Sequence, residues 1–228
     1  FGPSATPPTP ADPGPSMEQR AQEALKNSGA PAIPAPLPGV APAVPRSATV
    51  AKPKPLQIPS LATGIKAKGL SDVMTEAENL MKTGKFATAL DQYDLAEQID
   101  PGNPMVLLGR ANAELGASYY SRAEAHLRQA LTADPSLLMG QYDLKSWLGD
   151  DRLAFLVKDL KEIAQSDPKQ ARPVFLLSYI AYNTGNERRA AAYLDLAEKR
   201  AGNDPFYKVL REHWSLPDDV TGTEEMNK

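Results

Sequence analysis

Residues 87–101 read ATALDQYDLAEQIDP, and residues 122–135 read RAEAHLRQALTADP. Both stretches place alanines and larger apolar residues at helical spacing, and both end in an Asp-Pro pair. Proline lacks the backbone donor that the next helical turn needs, so each stretch predicts a helix that stops at its proline. Pro101, Pro135 and Pro168 follow one another at intervals of 34 and 33 residues. A period of this length is typical of a repeated helix-turn-helix unit.

The repeated pattern resembles the tetratricopeptide repeat family, which has small residues at positions 8, 20 and 27, a large residue at 24 and proline at 32. Counted from Leu70, these positions hold Ala77, Ala89, Ala96, Tyr93 and Pro101. Counted from Pro104, they hold Ala111, Ala123, Ala130, Leu127 and Pro135. Counted from Ala171, they hold Ser178, Ala190, Ala197, Leu194 and Gly202. The resemblance implies paired antiparallel helices that approach closely at the small residues.

The unit between residues 138 and 170 departs from this pattern. Counted back from Pro168, its positions 27, 24 and 20 hold Ile163, Leu160 and Leu156, so large side chains replace the alanines. We expect this unit to remain helical but to pack more openly than its neighbours.

These observations predict an all-α fold: a TPR-like solenoid of about four repeats with a C-terminal capping helix, preceded by an extended proline-rich arm. Each helix pair has an apolar face that it cannot bury alone, which is why the pair is repeated. The predicted segments are an arm at 1–69, repeats at 70–103, 104–137, 138–170 and 171–204, a capping helix at 205–217, and a polar tail at 218–228.

The arm is defined by its prolines, since 15 of the 22 prolines in the chain lie before residue 60. Proline-rich segments favour polyproline geometry, and only residues 17–28 are predicted to form a short helix, after a capping box at Ser16 and Gln19. One interpretation is a semi-rigid spacer. The other is a docking arm, because the arm contains more apolar side chains than a solvated linker needs. Thr6 and Thr9 lie among prolines, a composition that resembles O-glycosylated stalks.

Charge separates the two parts of the chain. The arm has seven basic and three acidic residues, whereas the remainder has 18 basic and 25 acidic residues. The overall net charge of -3 does not indicate a nucleic-acid partner. No apolar run approaches the roughly 20 residues needed to span a bilayer, so we expect no direct membrane insertion. The basic arm and acidic body make another copy of the chain a plausible partner.

No residue pattern predicts catalysis, a metal site or a cofactor. The chain has no cysteine, which excludes disulfides, thiolate metal sites and cysteine nucleophiles. His126 and His213 lack a partner set, so we interpret them as structural. The absence of cysteine and the Pro/Ala-rich spacers favour an extracytoplasmic location.

Protein binding is then the expected function. The family resemblance implies that positions 2, 5, 9, 12 and 13 of each first helix line a groove. This groove would be rich in methionine and aromatic residues, with the side-chain amides of Asn112 and Asn183 able to bond an extended backbone, and would suit a proline-rich segment. The predicted partner-binding residues are Met74, Glu78, Met105, Leu108, Asn112, Tyr142, Arg172, Phe175, Tyr179, Tyr182 and Asn183. The alternative is that some of these side chains pack against neighbouring helices.

Three hypotheses follow. The first is a non-enzymatic scaffold that binds extended segments and assembles into filaments or other homo-oligomers by accepting the arm of a neighbouring copy. The second is a monomeric adaptor that its arm tethers to an envelope or membrane partner. The third is an enzyme or carrier whose active part lies upstream of Phe1.

Overall fold

A computed structural model describes residues 55–202, 204–214 and 216. This part of the chain is 77% helical, which places it in the all-α class. The arm before Pro55, including the helix predicted at 17–28, and the tail at 218–228 lie outside the described residues. The helices are α1 (Lys68–Lys82), α2 (Phe86–Ile99), α3 (Pro104–Gly116), α4 (Tyr120–Ala133), α5 (Leu144–Leu148), α6 (Asp150–Ser166), α7 (Arg172–Asn183), α8 (Glu187–Ala201) and α9 (Pro205–Trp214).

Three pairs of consecutive helices pack closely: α1 with α2, α3 with α4, and α7 with α8. A three-residue turn joins the helices of each pair, and its middle residue adopts left-handed backbone geometry. This residue is Gly84 (φ 74°) in the first pair, Ser118 (φ 62°) in the second and Gly185 (φ 78°) in the third. The left-handed residue lets the chain reverse directly after a helix, and glycine adopts it without steric cost.

Small residues set the distance between the helices. Ala77, Ala89 and Ala96 are fully buried between α1, α2 and α3. A Cβ added to Gly109 of α3 would lie only 2.4 Å from a ring carbon of Tyr93, so α3 approaches α2 closely because Gly109 has no side chain. Complete burial raises the pKa of Tyr93 far above its ordinary value.

The segment between α4 and α6 does not form the regular helix pair that was expected there. A 3-10 helix (Pro135–Met139) leads into strand β2 (Gly140–Tyr142), and only the five-residue α5 follows before α6. Strand β2 pairs in parallel with β1 (Leu56–Ile58). A Cβ at Gly140 would lie 2.6 Å from Ile58 Cδ1, so the missing side chain allows this close pairing. The third unit therefore has one long helix, α6, and only the short α5 in place of a full first helix.

The last residues of the predicted arm belong to the helical domain. Leu61 and Ala62 are buried, and Glu78 Oε1 of α1 accepts the backbone N–H groups of both residues, at 2.7 and 3.3 Å. The indole N–H of Trp147 in α5 donates to the Pro59 carbonyl at 3.2 Å. The predicted boundary at residue 69 is therefore too late, because a buried carboxylate and a tryptophan hold the preceding residues against α1 and α5.

Candidate functional site: a filled groove and an open cleft

The predicted groove is not open in this structure. Two of its residues, Met105 and Arg172, are partly exposed. The others are at most 9% exposed: Met74, Glu78, Leu108, Asn112, Tyr142, Phe175, Tyr179, Tyr182 and Asn183. The expectation that these residues present a free binding face is thus corrected. Packing between helices buries some of them, since the Tyr179 hydroxyl donates to Asn112 Oδ1 at 2.9 Å, and three segments of the same chain cover others.

The first covering segment is the end of the predicted arm. Besides the two hydrogen bonds that it makes to Glu78, its 3-10 helix Ala62–Gly64 lies against Met105. A Cβ added to Gly64 would be only 2.8 Å from Met105 Cε. The α1 and α3 side of the predicted groove is therefore occupied by residues that immediately precede α1.

The second covering segment is strand β2. The Tyr142 N–H donates to Asn183 Oδ1 at 2.6 Å, and Gln141 Nε2 donates to the Tyr182 carbonyl at 2.9 Å. The Tyr142 hydroxyl donates to the Leu137 carbonyl at 2.6 Å. Asn183 does bind an extended backbone, as its chemistry suggested, but that backbone belongs to its own chain.

The third covering segment is α9. The rings of Phe206 and Tyr207 meet Phe175 edge to face, with centroids 5.5 and 6.0 Å apart. Trp214 stacks on Tyr182 with centroids 4.3 Å apart and planes 7° from parallel. The predicted capping helix thus covers the aromatic groove residues of α7 as well as packing on α8.

Arg128 of α4 also anchors α9. Its guanidinium donates to Asp204 Oδ2 at 2.8 Å and to the Tyr207 hydroxyl at 2.7 Å. The same group lies 4.5 Å from the centroid of the Phe206 ring, within the range of a cation–π interaction. No pattern around Arg128 in the sequence indicates these contacts, because Asp204 and Tyr207 lie more than 70 residues away.

An open cleft of about 490 Å³ lies between the start of α4, one face of α6 and the start of α7. We call it the tyrosine cleft. It is lined by Ser118, Tyr119, Tyr120, Ser121, Arg122, Leu160, Ile163, Gln170, Arg172 and Pro173. Ile163 is one of the large residues that replace the small ones of the other helix pairs, and Leu160 lies beside it on α6. The cleft therefore lies beside the unit for which the sequence predicted looser packing.

A strained residue lies at the rim of the tyrosine cleft. Ser118 has a left-handed backbone, which costs a residue with a side chain about 1 kcal/mol or more relative to glycine. Its hydroxyl accepts a hydrogen bond from Arg152 Nη2 at 2.8 Å and donates to the Tyr120 hydroxyl oxygen at 3.2 Å, while Arg152 Nε donates to the Gly116 carbonyl at 2.8 Å. Serine at this turn thus adds a side-chain bond between α6 and the α3–α4 turn, which glycine could not form.

The two tyrosines have different environments. The Tyr120 hydroxyl donates to the carboxylate of Asp159, and burial together with this bond raises the Tyr120 pKa to about 12. Tyr120 is therefore a fixed, protonated part of the wall. Tyr119 is 48% exposed and offers its ring to a ligand. The Arg122 guanidinium lies 5.6 Å from the centroid of that ring.

The charged residues that line the cleft are already paired. Arg122 Nε lies 2.9 Å from Glu114 Oε1, and Arg172 Nε lies 2.8 Å from Glu124 Oε2. Because Glu114 is completely buried, its bond to Arg122 holds the arginine in one place. Paired charges leave apolar side chains and one exposed aromatic ring as the main features available to a ligand. This chemistry suits an uncharged, extended segment rather than an ion.

A second surface cleft, of about 520 Å³, lies between α5, α6 and the α7–α8 turn. We call it the basic cleft. It is lined by Lys145, Asp150, Leu153, Ala154, Val157, Lys158, Lys161, Ile180, Thr184 and Arg189. Its four basic residues and single acidic residue give it a positive local charge.

No group of three or more His, Asp or Glu side chains in residues 55–202, 204–214 and 216 is arranged to hold a metal ion. Within the same residues, no helix is both long and apolar enough to cross a membrane. No family model, curated protein or solved structure matches the chain at a significant level.

Proposed function

We propose that this chain is a non-enzymatic protein–protein interaction scaffold built on a TPR-like solenoid. The assignment to this architecture is supported by three close helix pairs that share buried small residues and a left-handed residue in the turn. The pairs stack through α2 with α3 and α4 with α7, so that each buries an apolar face against the next.

The tyrosine cleft is the proposed binding site. The observation that carries this proposal is that the cleft is open and presents the exposed ring of Tyr119, whereas the residues predicted to bind are covered by the chain itself. Polyproline segments dock on exposed aromatic rings, and their preformed geometry keeps the entropy cost of binding low. Backbone strain at Ser118 also supports this site, because strained residues that the surrounding structure holds in place are often found at functional sites.

The proposed ligand is the segment Ala30–Pro45 of another copy of the chain. Its sequence, APAIPAPLPGVAPAVP, has six prolines and no charged residue, which matches a cleft whose arginines are already paired. Residues 46–54 separate it from the domain, and nine residues span about 28 Å in polyproline geometry. Each copy would pass its arm to the next, and such head-to-tail contacts build rings or filaments.

Light scattering on the full chain tests this proposal. The wild-type protein is expected to exceed the monomer mass of 24.6 kDa increasingly as its concentration rises. Tyr119→Ala, and separately the triple change Pro34→Ala, Pro36→Ala and Pro38→Ala, should each weaken assembly by about tenfold, since each removes one side of the stacked contact.

The matched control is Leu95→Ala on α2, because Leu95 is exposed to a similar extent (42%) but does not line the cleft. It should leave assembly unchanged. A wild-type chain that stays monomeric at every concentration would refute exchange of the arm between copies and favour the monomeric adaptor.

A further inference from the structure

The basic cleft differs from the surroundings of Arg110 and Arg128 in how many carboxylates its cations contact. Arg110 and Arg128 each contact two or more carboxylates at 2.7–3.4 Å. In the basic cleft, Lys158 lies 3.9 Å from Glu162, and both side chains are largely exposed. Lys145 and Lys161 form no ion pair with any residue that the structure describes. The ammonium groups of Lys145 and Lys161 are therefore not paired with carboxylates of the described domain.

The floor and rim of the basic cleft fit a peptide better than a free ion. Leu153, Val157 and Ile180 supply apolar surface, and Lys145, Lys158 and Lys161 stand along it. Lysine side chains hold carboxylates as flexible point charges, without the fixed geometry of arginine. An acidic extended segment with small side chains between its carboxylates meets these requirements.

The chain itself contains such a segment. Residues 217–228 read PDDVTGTEEMNK, with four carboxylates and a single lysine. The last described residues pack against the domain: Trp214 stacks on Tyr182 of α7, and Leu216 is only 2% exposed. Ile180 and Thr184, which line the cleft, belong to the same end of α7 as Tyr182.

The length of the segment is sufficient. Residues 217–223 span about 23 Å when extended, whereas an α-helix with its side chains is about 10 Å across. Glu224 and Glu225 can therefore pass around the end of α7 and meet the lysines on its other side.

We infer that the basic cleft is a binding site for an acidic peptide segment, and that its occupant is the tail of the same chain, with Glu224 and Glu225 facing Lys158 and Lys161. Glu162 beside Lys158 opposes the contact, so the tail is held by a few exposed ion pairs and is readily released by salt. An acidic segment of a partner would have to displace the tail to bind here.

Spin-label distance measurement in the full chain tests this inference. The sequence has no cysteine, so Ser146→Cys on α5 and Asn227→Cys in the tail provide two unique labelling positions. At low salt we expect one narrow, short-distance population. Near 1 M salt, where charges are screened within about 3 Å, this population should fall about fivefold, the loss expected for two exposed ion pairs.

Charge reversal separates docking from a folding defect. Lys158→Glu with Lys161→Glu should abolish the short-distance population, and adding Glu224→Lys with Glu225→Lys should restore it. Lys169→Glu, a reversal of an exposed charge on the domain outside the cleft lining, is the matched control and should change nothing. A broad distribution unaffected by salt and charge reversal would overturn the inference. A short distance found only between labels on different copies would also overturn it.

Discussion

The tyrosine cleft and the predicted groove both contain tyrosines, but they differ in what lies against them. Tyr179 and Tyr182 in the groove are at most 2% exposed because β2 and α9 pack over that face. Tyr119, in the turn before α4, is 48% exposed beside the larger side chains of α6. Residue type and helical position therefore do not identify a binding face when other segments of the same chain can pack over it.

The largest effect is expected from weakening the contact between α9 and the groove residues of α7. Trp214→Ala removes the ring stacked on Tyr182. It should lower the free energy of unfolding by about 3 kcal/mol, because removing a large buried aromatic side chain leaves a cavity. Urea denaturation measures this change.

Val209→Ala on the same helix is the control, because Val209 is 38% exposed. It should cost less than about 1 kcal/mol. Equal losses in the two variants would mean that α9 does not hold the groove closed through Trp214.

An intermediate effect is expected at Glu78, which holds the segment before α1 in place. Glu78→Ala leaves the buried N–H groups of Leu61 and Ala62 without their acceptor and should cost about 2 kcal/mol. It should also speed proteolytic cleavage before residue 68, because β1 and the 3-10 helix lose this attachment. Limited proteolysis followed by mass spectrometry measures the change.

Glu78→Gln keeps an acceptor oxygen at the same place and is the matched control. We expect its loss to be under about 1 kcal/mol. A glutamine variant as sensitive to protease as the alanine variant would show that the charge, rather than the hydrogen bonds, secures this segment.

The smallest effect is expected at Ser118 beside the open cleft. Ser118→Ala keeps the left-handed backbone strain and loses the bonds to Arg152 and Tyr120, so it should cost about 1 kcal/mol. Ser118→Gly loses the same bonds but relieves the strain, so its stability should lie close to that of the wild type. Chemical denaturation of both variants measures the difference, and a glycine variant that is less stable than the alanine variant would contradict it.

Much of the helical structure could be predicted because its causes are local. Pro104 at the first helical position and Asn103, whose side chain accepts the Met105 N–H, start α3. The repeated spacing of small and large apolar residues indicated α1, α2, α4, α7 and α8. The third unit was only partly predictable, since α6 has clear helical periodicity whereas Gly140 permits a strand whose partner lies more than 80 residues earlier.

The candidate sites depended on contacts that no local pattern contains. The sequence identified Asn183 as able to bind an extended backbone and the 205–217 segment as an apolar helix. It did not indicate that β2 would be that backbone or that Trp214 would cover Tyr182. Ser118 had a usable signal, because the other two turns have glycine at the same place, so a serine there marks a strained position.

The sequence by itself indicated the helices of the three close pairs, which residues are small enough for close helix packing, and which part of the chain is rich in proline. These properties depend on backbone geometry and on side chains within a few turns of each other. Only the tertiary structure decided which faces are covered. Trp147 meets Pro59, Tyr142 meets Asn183 and Arg128 meets Tyr207, and each pair is brought together by the packing of the whole domain.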